Sequence, residues 1–560
     1  MSAPTLNATR PVPAGRTIPT AKPAGTAALA GTGYLLRFML RRNRVRLIAW
    51  TGSLALFCGY YVVAIGAVYP NAADRQNRAA SIGNAGGTLL AGPGYGLEDY
   101  TVGRMFANEM SLWLMVLLAT MNILLIARNT RAEESSGRLE MVRALPVGRH
   151  AGSVAAFLVV VIADAAFVLF GSLLMIGSGK LAATDTVVLL TGVMLTGLVL
   201  AGITTVTGHL TVHSRAASGL AFAVLGGAVL IRGIGDIQQV HGSWLSWLSP
   251  IAWAQQTRPY AEVRLWPLGL SLAAIAITLA VGAVLATRRD LGGALLRGRI
   301  GPAAAAPSLA TPFALVFRQQ RSALVWWLVG CVAMFGPAGL FLGTDSGASL
   351  QDIATQNELT STIFGDDPIA AFLAIMMLHN ALAVAIFTTA AVLRIKPEED
   401  EGRLGLGLSR STSRTAWLLA HLSVAGIGAL VLLFLGGALP LWVGSSLSGG
   451  HTALPTLLAS AGAFALGVAV LITFTTALYA WAPRLSPLAW VLCALVVVER
   501  FFGTVLHLPA AVKVLSPFWW VGDYPKADLD PVHLIALGTV SAVLAAVAVT
   551  GFRRRDLAAG

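Results

Sequence analysis

The chain has 560 residues, of which 56% are hydrophobic and only 12% charged, about half the charge content of an ordinary soluble protein, and its mean hydropathy is +0.73. That composition excludes a soluble multidomain protein. The net charge of +13 might suggest a polyanion partner, but its distribution along the chain argues against nucleic acid.

Residues 1–32 are rich in Pro, Ala and Gly and lack the apolar core of a signal peptide, so they are expected to form a disordered leader. A basic amphipathic stretch follows at Tyr34–Arg44, with Arg37, Arg41 and Arg44 on one helical face and Leu35, Phe38 and Met39 across from it. Twelve apolar runs then approach or exceed the roughly 20 residues that a spanning helix needs. They lie near 47–68, 109–128, 152–176, 186–208, 217–236, 266–286, 323–343, 368–393, 416–440, 455–480, 487–507 and 532–552. The hydrocarbon core offers no water, so each run must satisfy its backbone internally as a helix. The expected fold class is an all-α polytopic membrane protein with twelve transmembrane helices. Cys58, Cys331 and Cys493 all fall inside spans, and their scatter suggests neither a disulfide framework nor a metal site.

With the N-terminus inside, 29 of the 39 Lys and Arg residues fall on cytoplasmic segments. This is the positive-inside asymmetry of a single topology with both termini cytoplasmic. The basic charge records orientation in a cell membrane.

Landmarks recur along the chain in constant order. Arg41-Arg42-Asn43-Arg44 matches Arg318-Gln319-Gln320-Arg321, and Glu133-Glu134-x-x-Gly137-Arg138-Leu139 matches Glu398-Glu399-x-x-Gly402-Arg403-Leu404. Leu248-Ser249-Pro250 with Trp253 matches Leu515-Ser516-Pro517 with Trp520, and Arg288-Arg289-Asp290-Leu291 matches Arg554-Arg555-Asp556-Leu557. The offsets are 277, 265, 267 and 266. Six spans separate equivalent points, so the repeat is parallel, about an axis along the membrane normal. The expected organisation is a leader (1–32), a first six-span repeat (33–291), a cytoplasmic linker (292–312) and a second six-span repeat (313–560).

The cytoplasmic segment 131–149 combines an acidic start, a glycine, an amphipathic Leu139-Glu140-Met141-Val142 stretch and a Leu145-Pro146 stop, the pattern of a short interfacial helix. Its carboxylates and arginines suit docking to a soluble partner, or a helix lying on lipid headgroups. The second copy, 396–414, keeps the acids and Gly-Arg-Leu, but Gly405 stands in place of Glu140 and Ser411 in place of Pro146. Glycines at 405 and 407 each weaken a helix by about 1 kcal/mol relative to Ala, so this copy is expected to be a degraded helix.

Charges inside spans are costly and face protein or a water-filled cavity. Arg232 stands one turn before Asp236 late in the fifth span, and Arg500 lies beside Glu499 late in the eleventh. They read either as an outer gate or as arginines snorkelling from helix ends. Asp164, in the middle of the third span, could carry a proton or meet a cationic substrate, or serve as a hydrogen-bonded packing residue. Phe501 and Phe502 could contact an apolar substrate or lipid. The external segments around Pro250 and Trp253, and Pro517 and Trp520, suit lid helices over an exit or an interfacial aromatic belt.

The acidic start, glycine, Leu-Glu and Leu-Pro-Val-x-Arg of 131–149 resemble the loop after the second span in type-2 ABC exporter permeases. The Leu-Ser-Pro segments resemble that family's external segment before its last span, and Tyr34–Arg44 resembles its N-terminal connecting helix. The fused layout and paired Glu-Glu-x-x-Gly-Arg motifs are similar to actinobacterial exporters of polyketide antibiotics and other drugs. The resemblance implies the type-2 exporter transmembrane fold and a coupling role for Glu133, Glu134, Gly137, Arg138, Leu139, Glu140 and Pro146, with Glu398, Glu399, Gly402, Arg403 and Leu404 in the second copy. It also implies a separate ABC ATPase subunit, two copies per chain, holding ATP and Mg. No G-x-x-x-x-G-K-[ST] loop occurs here, so this chain is expected to be the non-enzymatic transport subunit, without cofactor or metal of its own, moving a hydrophobic small molecule.

The competing reading is a proton-coupled twelve-span antiporter using Asp164, whose family carries an Asp-Arg order between the second and third spans that this chain lacks. A membrane enzyme fits less well, since no His, Asp and Glu cluster recurs with acid–base or metal spacing at one membrane depth.

Overall fold

The computed structural model describes residues 28–83, 85–135, 137, 146–179, 181–289, 293–296, 303–343, 365–409, 412–502 and 508–556. Most of the leader, much of the linker, and Arg138, Leu139 and Glu140 lie outside these. The described residues contain helices and no strand. The main helices are α1 (Thr32–Val68), α2 (Val102–Asn129), α3 (Ala151–Gly179), α4 (Ala183–Leu210), α5 (Ser214–Gln238) and α6 (Trp266–Thr287), followed by α7 (Pro312–Gly339), α8 (Pro368–Leu393), α9 (Arg414–Leu447), α10 (Leu454–Trp481), α11 (Ala489–Phe502) and α12 (Pro531–Arg554).

Eleven of these are long and apolar enough to cross a membrane, which makes the chain a multi-pass α-helical membrane protein. The helix left out is α11, in the eleventh predicted span. Its 14 residues reach about 21 Å at 1.5 Å per residue, short of a ~30 Å hydrocarbon core, and residues 503–507 lie outside the described set. The amphipathic stretch at 34–44 continues into the first span, as α1 runs unbroken for 37 residues. No Gly or Pro interrupts residues 34–51, so nothing in the chain breaks the rod.

Within each half the helices pair alike. In the first, α1 lies along α3, while α2 and α6 both pack on α4; in the second, α7 lies along α9, while α8 and α12 pack on α10. The central helices are the sheltered ones: 78% of the apolar stretch of α4 and 61% of that of α10 is buried, against 11% for α6 and for α12. Exposed Leu272, Ile277 and Val284 on α6, and Ile535, Val540 and Val543 on α12, make outer faces that only lipid would cover. The free cysteines are all buried.

One departure is confined to the second half. Residues Leu432–Ala438 of α9 form a π-helical segment, whose widened turn leaves carbonyls open to a neighbour. Asn380 of α8 donates through Nδ2 to Leu433 O at 3.1 Å and Leu432 O at 3.4 Å. This close approach requires Gly437, where a Cβ would overlap the Asn380 amide. Gly437→Ala should therefore destabilise the protein by about 1–3 kcal/mol, as overpacking does, read as a lower melting temperature in detergent. The loss should shrink when Asn380→Ala is added, because the two residues are directly coupled.

Candidate functional site

The acidic loops after α2 and α8 are built on the same frame. After α2, residues Arg131–Ser135 form a short helix, and after α8, Ile395–Asp400 does. Each ends on a glycine in the left-handed region, Gly137 and Gly402, both with φ of 73°. Each glycine N–H closes the turn on the second glutamate of its motif, Gly137 on Glu134 O at 3.1 Å and Gly402 on Glu399 O at 2.9 Å. A side chain at that φ is strained, which explains why the motif places glycine there twice.

The second glutamate of each motif is braced against the Arg-Arg tail of its own half. Arg289 Nη2 pairs with Glu134 Oε2 at 2.8 Å, and Arg555 Nη2 with Glu399 Oε2 at 2.6 Å. Both glutamates are nearly buried, with side chains 7% and 9% exposed. Arg131 also pairs with Glu134 at 2.7 Å, while Tyr479 donates its hydroxyl to Glu399 at 2.6 Å. Motifs about 155 residues apart in sequence thus meet in space, twice, at corresponding positions.

The first glutamates behave differently. Glu133 pairs with Arg42 of α1 at 2.8 Å, and Arg42 also donates to Asn129 Oδ1 at 2.8 Å. Arg42 is replaced by Gln319 in the second half, and there Glu398 pairs with Arg403 at 3.0 Å. Arg403 also pairs with Glu401, and these carboxylates push its already high pKa further up. The second loop is not the degraded helix its glycines suggested, since Arg403–Leu408 is helical. Leu404 is buried in a cluster with Ile395, Trp417 and Phe552, and burying a leucine contributes about 2 kcal/mol, enough to offset the propensity of the glycines. Pro146 is exposed and borders the turn before α3.

On the opposite side, Arg232 is fully buried and does not snorkel. It pairs with Asp236 at 3.2 Å and donates to Thr88 O at 3.2 Å and Leu89 O at 2.6 Å. These carbonyls belong to the short helix Ala85–Ala91, and Gln255 Nε2 takes Ala91 O at 2.9 Å. Asp236 in turn accepts from Ser246 Oγ at 2.6 Å. The Ala85–Ala91 helix packs on α5 and, across the halves, on α7. In the second half Arg500 pairs with Asp523 and not with the adjacent Glu499, because neighbours along a helix point to different faces. Glu499 is itself buried. Phe501 and Phe502 close α11, and their side chains lie outside the description.

Pro250 and Pro517 each open a short helix, Pro250–Gln255 and Pro517–Val521, packed on α4 and α10. Trp253 Nε1 donates to Trp247 O at 2.7 Å and Trp520 Nε1 to Val514 O at 2.9 Å, the same bond in both halves. Asp164 is buried between α3 and α2, where its Oδ2 accepts from Asn122 Nδ2 at 2.8 Å. This bond supports the packing role, although Asp164 Oδ1 has no partner. Among the described residues no group of His, Cys, Asp and Glu could hold a metal ion. The partners that sequence reading missed are Arg42, Arg131, Tyr479 and Gln255. Arg289 and Arg555 were visible as a repeated tail, but nothing local tied them to the glutamates.

A multi-span helical bundle with acidic loops braced on one side is the kind of framework that a membrane permease uses. A family model described as the C-terminal domain of the multidrug efflux system permease Rv1217c matches residues 35–288 and again residues 309–553. The multidrug efflux system permease protein Rv1217c of Mycobacterium tuberculosis H37Rv is 32% identical over 530 residues, 93% of this chain and 94% of that protein. The chain belongs to this family of multidrug efflux permeases, and its role is that of a transport permease.

Removing one partner of the brace leaves a nearly buried charge. Glu399→Gln should cost on the order of 2–3 kcal/mol, somewhat below the loss at a fully buried pair, seen as a lower melting temperature. Glu398→Gln, whose partner Arg403 is half exposed, should leave that temperature unchanged.

Proposed function

We propose that this chain is the transmembrane subunit of an ATP-driven exporter of hydrophobic and amphiphilic compounds, drugs and polyketide-like antibiotics among them. In this reading it is a type-2 ABC exporter pseudodimer in the plasma membrane, with both termini cytoplasmic and two parallel repeats of six spans, α11 being completed by residues beyond Phe502. A separate ATPase, in two copies that bind ATP and Mg, docks on the 131–149 and 396–414 loops, and its closure switches access from inward to outward. The observation that carries the proposal is the duplicated brace, Glu134 to Arg289 and Glu399 to Arg555. A load on either loop would pass through an ion pair into the end of that half's last long helix. The family model's match to each half and the name of the mycobacterial relative support the repeat and the drug cargo.

On the outer side, Arg232 and Asp236 would act as the gate latch, since they tie the Ala85–Ala91 helix that bridges to α7. Arg500, with Glu499, Phe501 and Phe502 nearby, would form the less buried counterpart. The Pro250–Trp253 and Pro517–Trp520 segments would be the lid beneath which cargo leaves. Cargo drives the switch only through unequal affinity for the two states.

The unpartnered Oδ1 of Asp164 favours a second reading, a proton-coupled antiporter. The two separate cleanly by experiment. Purification of the tagged chain should recover an ATPase, and Glu133→Lys combined with Glu398→Lys should reduce both its recovery and dye efflux by roughly tenfold, the effect of about 1.4 kcal/mol. Undiminished assembly and efflux in that variant would end the docking assignment. Transport driven by a pH gradient without ATP, and lost in Asp164→Asn, would establish the antiporter instead.

A further inference from the structure

The two halves put matched residues to different use on the side of the acidic loops. In the first half a cavity of about 570 Å³ lies between the start of α1, the acidic loop, the turn before α3 and the ends of α4 and α6. That volume falls within the ~300–1,000 Å³ of sites that enclose small organic molecules. One wall is apolar, with Tyr34 and Phe38 82% and 57% exposed beside Leu35 and Val147. The rest of the lining is rich in cations, with four arginines against two glutamates among its described residues, and one of the arginines, Arg42, lies over the Phe38 ring.

Arg42 is taken up by Glu133, and Arg131 and Arg289 by Glu134. Arg149 stands at the rim, exposed and with no carboxylate partner. His209 lines the cavity from α4; it is nine-tenths buried, and its Nδ1 has no hydrogen-bond partner.

The second half spends the corresponding groups internally. Arg414, 265 residues after Arg149, donates to Arg555 O at 2.7 Å and Arg553 O at 3.3 Å. At the end of α10 that corresponds to His209, Tyr479 donates its hydroxyl to Glu399 at 2.6 Å. Val316, 277 residues after Met39, is fully buried against Ala420 and Val424. In the first half the exposed Arg149 instead stands at the rim of a cavity whose apolar wall carries the exposed Tyr34 and Phe38.

We infer that this cavity binds an anionic amphiphile, with its carboxylate or phosphate headgroup between Arg149 and His209 and its apolar body along Tyr34 and Phe38. Such a molecule could come from the membrane as an acidic phospholipid, or from solution as a fatty-acid-like anion. The inference does not depend on ATP or on export, so its failure and that of the exporter reading are separable.

The test uses the full chain in phosphatidylcholine nanodiscs, labelled with a diazirine analogue of stearate and, in parallel, of stearylamine. The stearate probe should label peptides within 31–42 and 146–153 and the amine should not. Arg149→Glu should cut labelling by roughly tenfold, about the effect of one charge-assisted hydrogen bond, whereas Arg414→Glu should leave it intact. Phe38→Ser should weaken it while the protein stays monodisperse. Loss of labelling in discs containing phosphatidylglycerol assigns the membrane source, and competition by oleate, with phosphatidylglycerol ineffective, assigns the soluble one. Equal labelling by the amine, indifference to Arg149→Glu, or full competition by inorganic phosphate alone would overturn the inference.

Discussion

An ionised side chain withdrawn from water costs several kcal/mol unless opposite charge or aligned carbonyls replace its hydration. That constraint decides where this chain's connecting segments come to rest. Arg232, fully enclosed, is tolerated because Asp236 lies one turn on and because the C-terminal carbonyls of Ala85–Ala91 point at its guanidinium. Those carbonyls lie at a helix's negative, C-terminal end, so one set of contacts stabilises the arginine and fixes the short helix. On the other side the same logic holds Glu134 and Glu399 against Arg289 and Arg555. Each acidic turn is thereby pinned to the end of the last long helix of its half.

Duplication preserved these braces while the surroundings diverged. Both halves keep the left-handed glycine after the acidic turn, and both keep the tryptophan bond that shapes the proline-led external helix. The first half adds Arg42 on Glu133 and leaves a cavity beside it. The second places a π-helical segment in α9, served by Asn380, and ties the start of α9 to the Arg-Arg tail through Arg414. Among the described residues the asymmetry lies in what each loop leans on. Glycines 405 and 407 do not unwind the second loop, because Leu404 is anchored in the Trp417 and Phe552 cluster.

Much of the architecture was legible without coordinates. Long apolar runs must become helices in lipid, and eleven of the predicted runs fall on long helices, to within a few residues except where α1, α2, α7 and α9 run further at one end. The pair Arg232 and Asp236 was readable from its i, i+4 spacing. The partner of Arg500 was not readable, since Asp523, on the segment after α11, is its neighbour in space and not in sequence. Propensity likewise misjudged the second loop, since a weak local preference yields to burial that only the packed state provides.

By itself the sequence determined that the chain is a multi-span helical membrane protein with recurrent acidic, Leu-Ser-Pro and Arg-Arg motifs, because hydropathy, periodicity and repeats are local properties of the chain. Only the tertiary structure decided which motif answers which. Glu134 and Arg289 are 155 residues apart, and no local rule links them. They meet because α2, α4 and α6 pack side by side, and a nearly buried carboxylate there must find a cation.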